Sequence, residues 1–303
     1  MIGLAFILAI GLLLLWAGVV AGTAWMLTHP SRRTYASAVA RGRPGDPSEL
    51  DVPRRYESWS FASRGLQLPV WEIAGEHSGG PTIVMSHGWA DSRIGALARV
   101  GALAPVASRI IAWDLAGHGE APGRCSLGTN EVADLLALLD ECGAAVRVVL
   151  YGWSLGAGVS LAAAGLFRPL AVIAESPYRL AVTPARNVLC ARGLPHRGTL
   201  GPALAVARLF GARQTGESSK PFDRAWHAAR LPCPLLVLHG GEDEVCPIED
   251  GRAIAAAAPS GRIVEVPGGH HNDLWTDPVL AARCAEAVRA FVRGVAPQLE
   301  PRP

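Results

Sequence analysis

No charged side chain occurs between Ile2 and Leu27, and no Lys or Arg precedes Arg32. A buried core helix seldom needs an all-round apolar segment of that length. A cleaved secretory leader would carry a basic start and a shorter apolar run, roughly 7–15 residues. As a helix the stretch would extend roughly 39 Å at ~1.5 Å per residue, more than the ~30 Å hydrocarbon layer of a bilayer requires. Residues 1–28 are therefore expected to form a transmembrane anchor. Cleavage near the small residues Ala21 to Ala24 is the alternative. Other absences narrow the field further. The six cysteines (Cys125, Cys142, Cys190, Cys233, Cys246 and Cys284) contain no C-x-x-C spacing. That argues against a zinc site or a compact disulfide framework and for free thiols in a reducing compartment. No basic stripe or cluster stands out and the net charge is only +2, so no nucleic-acid partner is expected. The chain also lacks an internal repeat.

The early basic residues, Arg32, Arg33, Arg41 and Arg43, fall within about twenty residues of the apolar span, on one side of it. The positive-inside rule then places the domain beyond them on the cytoplasmic side of a membrane. The same arginines read as contacts to anionic headgroups. Residues 29–55 are expected to be a linker, semi-rigid where Pro and Gly concentrate between Arg41 and Pro53. Residues 56–296 form the main domain, and residues 297–303 a frayed tail.

From Tyr56 onward, strand-like runs alternate with helix-like ones, the pattern of a mostly parallel sheet covered by helices on both faces. Eight strands are expected: Glu57–Ala62, Leu66–Ala74, Thr82–Ser86, Arg109–Trp113, Val146–Tyr151, Leu170–Glu175, Pro234–His239 and Arg262–Val266. The first two lie close enough to form an antiparallel hairpin. Helices are expected at Ile94–Ala104, Gly128–Cys142, Leu155–Phe167, Ile248–Ala257 and Val279–Val292. Residues 178–231 exceed a minimal connection and read as a small helical lid, with Leu189, Leu194, Leu204, Val206, Leu209 and Phe210 lining an acyl pocket or packing on the core.

Chemistry enters at Gly152-Trp153-Ser154-Leu155-Gly156, a G-x-S-x-G between a β-branched apolar run and a small-residue helix. A turn that tight leaves almost no room two residues either side of the serine, hence glycine. Ser154 is the candidate nucleophile, on a backbone strained for the purpose. A serine nucleophile needs a base, a carboxylate to orient it and donors for an oxyanion. In this context the order along the chain is Ser, acid, His. Asp243 lies in the loop after the seventh strand, flanked by Glu242 and Glu244, which compete with it by residue type. His270 and His271 follow the eighth strand, and either supplies an imidazole. The backbone N–H groups of Leu155 and Trp89 are the oxyanion-hole candidates. Trp89 and Trp153 flank that site. His87, His118, His239 and Asp114 read as loop-satisfying residues.

Five motifs now stand in order: His87-Gly88-Trp89, Asp114-Leu115-Ala116-Gly117-His118-Gly119, Gly152 to Gly156, His239 to Asp243, and His271-Asn272-Asp273. Together they resemble the α/β-hydrolase superfamily, in its serine-aminopeptidase-like, BEM46-like and monoacylglycerol-lipase-like branch. The resemblance covers Tyr56 to the C-terminus. It implies an α/β-hydrolase fold with Ser154 as nucleophile, Asp243 as acid, His271 as base, and Trp89 and Leu155 at the oxyanion hole. The match of His271-Asn272-Asp273 favours His271 over His270, which stands where the family usually has glycine.

The activity so implied is hydrolysis of carboxylic esters, including lipid esters or thioesters, through an acyl-enzyme. It calls for no metal and no organic cofactor. The expected partners are a small-molecule or lipid ester and, through the anchor, a membrane. A peptidase or amidase on the same triad, or a catalytically silent tethered binding module, remains open from the residues alone. Acyl chain, leaving group and oligomeric state are not encoded in any motif.

Overall fold

The computed structural model describes residues 2–143, 147–211 and 222–296. Eight strands form one sheet: β1 (Tyr56–Ser63), β2 (Leu66–Ala74), β3 (Thr82–Ser86), β4 (Arg109–Trp113), β5 (Val148–Trp153), β6 (Ala171–Glu175), β7 (Leu235–Gly240) and β8 (Gly261–Val266). Their spatial order is β1-β2-β4-β3-β5-β6-β7-β8. The β1–β2 and β2–β4 pairs are antiparallel and the rest parallel. The expected α/β-hydrolase architecture is therefore the one observed. Expected and observed strands agree to within one or two residues. The Val146 end of the fifth strand lies outside the described residues.

The central strands are apolar on both faces because both faces are covered. In β5, Val148 and Leu150 face one core and Val149 and Tyr151 the other. The first core is roofed by α4 (Thr129–Glu141), α5 (Leu155–Phe167), α8 (Arg224–Ala228) and α9 (Ile248–Ala257), the second by α3 (Leu97–Leu103) and α10 (Pro278–Val295). One expected helix is interrupted. Residues 93–106 form a 3₁₀ turn at Arg93–Ala96, then α3, then another 3₁₀ turn at Ala104–Val106. Pro105 has no N–H to donate, which ends the α-helical bonding there.

The apolar amino end is one helix, α1 (Ile2–Thr28), long and apolar enough to cross a membrane. Its first half is exposed, including Leu4, Phe6 and Leu12 to Leu15. Its second half packs against the insert between β6 and β7, which carries α6 (Val182–Ala191) and α7 (Leu200–Gly211). Val20 and Ala24 meet Ala203, and Leu27 meets Leu189 and Leu200. The Trp16 indole donates to the Gly198 carbonyl at 3.0 Å. Residues 212–221 of the insert and 297–303 at the carboxyl end lie outside the described residues, as does the side chain of Phe210.

Residues 29–55 run along the domain and contribute to it. They include α2 (Tyr35–Val39), whose Thr34–Ser37 capping box satisfies its first N–H groups. Ala38 is part of the second core. Arg32 donates to the Gly119 and Ala121 carbonyls at 3.1 and 2.8 Å. The Cys125 amide donates to Thr28 at 2.9 Å. These bonds hold α1 and the segment after it on the same edge of the domain as the serine turn.

Candidate active site

Ser154 sits between the end of β5 and the first residue of α5, at φ 53° and ψ −112°. That is a left-handed φ that a side chain rarely tolerates, and its cost is met by tight surroundings. A Cβ on Gly152 would collide with the Gly156 carbonyl, and one on Gly156 with the Ser86 carbonyl. The Ser154 amide donates to the Glu175 carbonyl at 2.9 Å, pinning the turn to β6. Its side chain makes no capping hydrogen bond although it occupies the cap position. Leu155, as the first residue of α5, has an N–H with no partner inside the helix.

Asp243 and His271 meet across the ends of β7 and β8. The His271 Nδ1 lies 2.8 Å from Asp243 Oδ2. The other carboxylate oxygen accepts from the Val245 and Cys246 amides at 3.0 and 2.7 Å. Burial opposes ionisation of Asp243, but His271 and the Cys246 amide outweigh it and hold the pKa below the usual value. Burial likewise opposes protonation of His271. The facing Cys246 sulfur and Asp243 carboxylate prevail and hold its pKa above that of an ordinary histidine.

The competing side chains point elsewhere. His270 is half exposed, with Nδ1 3.1 Å from Glu244 and Nε2 3.9 Å from Glu242. Both glutamates face solvent, whereas Asp243 is buried. His87 bridges loops, accepting from the Leu115 amide at 3.0 Å, with its other nitrogen 2.8 Å from the Gly88 carbonyl. His118 is fully buried, which drives its pKa down to about 3. His239 lies 2.8 Å from the Cys246 carbonyl and supports the acid loop from below. Asp114 accepts from the Arg93 amide and guanidinium and from the Glu120 amide, tying two loops together.

A cavity of about 250 Å³ opens beside Ser154. Trp89, Trp153 and His271 line it, together with Leu189 from α6 and Met26 and Leu27 from α1. Of the lid residues expected to line a pocket, Leu189 does so. Leu204 packs in the cluster of Leu27 and Val206 in that of Val20, both against α1, while Leu194 and Leu209 are exposed.

Three features were not anticipated from sequence. Cys246 is fully buried, and its sulfur lies with the Asp243 carboxylate and a His271 ring nitrogen in a group within 4.8 Å. Burial raises its thiol pKa, against the opposing pull of the adjoining His271. Glu175, at the end of β6, is buried and accepts from Arg99, from Tyr151 at 2.5 Å and from Trp275 at 2.8 Å. The Arg99 guanidinium stacks 4.1 Å over Trp153, the neighbour of Ser154. Asp91 accepts from the Trp153 indole at 3.2 Å and from Arg33 at 2.8 Å. The residue types carried no motif, since a strand-end Glu and a helical Arg are ordinary. Only the sheet order brings them beside the serine turn.

A family profile described as "Alpha/beta hydrolase family" matches residues 83–284. The chain belongs to the alpha/beta hydrolase family. It is similar to a pimeloyl-[acyl-carrier protein] methyl ester esterase of Chromobacterium violaceum, 28% identical over 73% of this chain and 95% of the relative. It is also similar to human Protein ABHD12B, 26% identical over 77% of this chain and 72% of the relative. Among solved structures, the Pyrococcus furiosus esterase Pf2001 aligns over 88% of this chain and 98% of its own, with TM-score 0.66 and 17% identity. At that identity the likeness concerns the fold.

Proposed function

We propose that this chain is a membrane-tethered serine hydrolase of carboxylic esters, with Ser154, His271 and Asp243 as its triad. The observation that carries the proposal is the partly buried Asp243–His271 bond of 2.8 Å, at the lip of the cavity that the strained Ser154 turn also lines. His271 takes the hydroxyl proton as the Ser154 oxygen attacks the ester carbonyl, and Asp243 fixes the ring so that its free nitrogen serves as base. The Leu155 and Trp89 N–H groups hold the oxyanion, each such donor worth roughly 3 kcal/mol. His271 then protonates the departing alkoxide. Water, deprotonated by the same imidazole, hydrolyses the acyl-serine. The chain needs no metal or organic cofactor for these steps.

The anchor reading of α1 makes the substrate an amphiphile. Met26 and Leu27 line the cavity with Ser154, so an acyl chain leaving a bilayer along α1 meets the site directly. Arg32, Arg33, Arg41 and Arg43, which follow the span closely, favour a cytoplasmic placement of the domain.

The test is turnover of matched octanoyl ester, thioester and amide substrates by wild type and Ser154→Ala. Ester hydrolysis lost in Ser154→Ala is the expected result. A preference for the amide would assign the site to peptidase or amidase chemistry. No turnover of any of the three would leave a binding module.

A further inference from the structure

A second cavity, about 540 Å³, lies on the other side of His271. It shares Asp91, Trp153, His271 and Asn272 with the apolar cavity but does not include Ser154. Its lining is charged, with four guanidiniums (Arg33, Arg41, Arg43 and Arg99) against two carboxylates (Asp91 and Glu175). Two of the guanidiniums are already neutralised. Arg33 pairs with Asp91 at 2.8 Å and Arg99 is held by Glu175. Among the described residues, neither Arg41 nor Arg43 has a carboxylate within ion-pair distance. Both belong to the segment after α1, outside the residues matched by the family profile.

We infer that this cavity receives the leaving alcohol, and that the alcohol carries a phosphate: the substrate is an acyl ester of a phosphorylated alcohol. The inference rests on the ester-hydrolase reading above and names its substrate class. Two uncompensated guanidiniums at one cavity favour a multiply charged oxyanion, and the guanidinium fork matches phosphate geometry. The division of the site also fits the order of the chemistry. The acyl chain lies with Ser154 between α1 and α6, among apolar walls. The alkoxide departs toward His271, which returns the proton taken from the serine, so the freed alcohol lies on the arginine side. The bond broken is the ester C–O bond, the bond formed is the serine acyl C–O bond, and the alcohol leaves with its phosphate intact. Anionic headgroups of the surrounding bilayer are the other source of phosphate for these arginines, and the test separates the two.

The experiment uses the full chain in neutral detergent micelles, where no anionic surface is present. It compares kcat/KM for 1-octanoyl-glycerol and 1-octanoyl-glycerol 3-phosphate in wild type, Arg41→Gln/Arg43→Gln and Arg41→Lys/Arg43→Lys. Wild type should prefer the phosphate ester by tenfold or more. The Gln pair should bring the ratio to about one and the Lys pair should keep part of it. A wild-type ratio near one, or a ratio unchanged in the Gln pair, overturns the inference. So does a preference that appears only on vesicles doped with anionic lipid, which would assign the arginines to the membrane surface. Glycerol 3-phosphate binding, by calorimetry, gives a readout independent of turnover. If neither ester is hydrolysed yet binding weakens tenfold or more in the Gln pair, the hydrolase reading fails and the phosphate site stands. Equal binding in wild type and the Gln pair removes the site.

Discussion

The Trp89 indole donates a hydrogen bond to the backbone carbonyl of Leu27 at 3.0 Å. One partner carries an oxyanion-hole candidate, and the other lies in the last turn of the apolar helix. That bond joins the apolar helix to the loop after β3, so α1 forms part of the wall of the cavity beside Ser154.

The first prediction comes from that wall. In Met26→Ala/Leu27→Ala, kcat/KM for octanoyl esters should fall roughly tenfold, the equivalent of ~1.4 kcal/mol. That is about two buried methylenes of contact at ~0.8 kcal/mol each. Acetyl esters, which do not reach the wall, should change much less. A parallel loss across a chain-length series would remove α1 from the acyl pocket.

A second prediction concerns pH. A general base works only when neutral, and the acid limb of kcat/KM reports its pKa in the free enzyme. Burial of His271 is outweighed by Cys246 and Asp243, which raises that pKa above 6.5. Activity should therefore rise with pH along a limb centred above 6.5. In Cys246→Ala one raising contact is lost, and the limb should move toward lower pH. A wild-type limb below 6.5 would show that burial dominates.

Residue assignment is tested by parallel substitutions. Asp243→Asn should reduce kcat by roughly 10⁴, the scale seen when a triad carboxylate becomes an amide, while Glu242→Gln and Glu244→Gln change it little. His271→Ala should abolish turnover and His270→Ala should retain most of it. Initial rates on one activated ester, with circular dichroism as a folding check, decide this. A crippled His270 variant beside an active His271 variant would exchange their roles.

The buried Arg99–Glu175 pair supports the serine turn through Trp153 and makes a prediction about stability. Glu175→Leu strands a buried guanidinium and should cost about 3–5 kcal/mol. Arg99→Met/Glu175→Leu, which removes both charges, should recover part of that, the remainder being the lost acceptor of the Tyr151 and Trp275 donors. Denaturant unfolding in neutral detergent measures both. Equal loss in the two variants would mean that the hydrogen bonds from Tyr151 and Trp275, rather than pairing with Arg99, are what Glu175 supplies.

How much of this was legible in the sequence depends on the range of the interaction. Strand and helix positions were readable because β-branched runs and glycine turns act locally, as in Thr82–Ser86 and Leu155–Phe167. The serine turn was readable because steric crowding dictates glycine at 152 and 156. The segment after α1 read as a linker from its Pro and Gly content, and nothing local announces that Ala38 enters the core or that Arg32 reaches Gly119 and Ala121. Cys246 lies three residues past Asp243, yet its place beside His271 comes from the meeting of two loops. Arg41 and Arg43 read as membrane contacts because sequence distance from the span was the only available coordinate. Their shared cavity with His271 is a property of the folded edge.

The central claim is that Ser154 becomes covalently acylated. Intact-mass and peptide mapping after exposure to a fluorophosphonate tests it most directly. The account predicts one adduct per chain on the peptide containing Ser154, absent in Ser154→Ala and strongly slowed in His271→Ala. An unmodified wild-type chain, or an adduct that persists in Ser154→Ala, would contradict it.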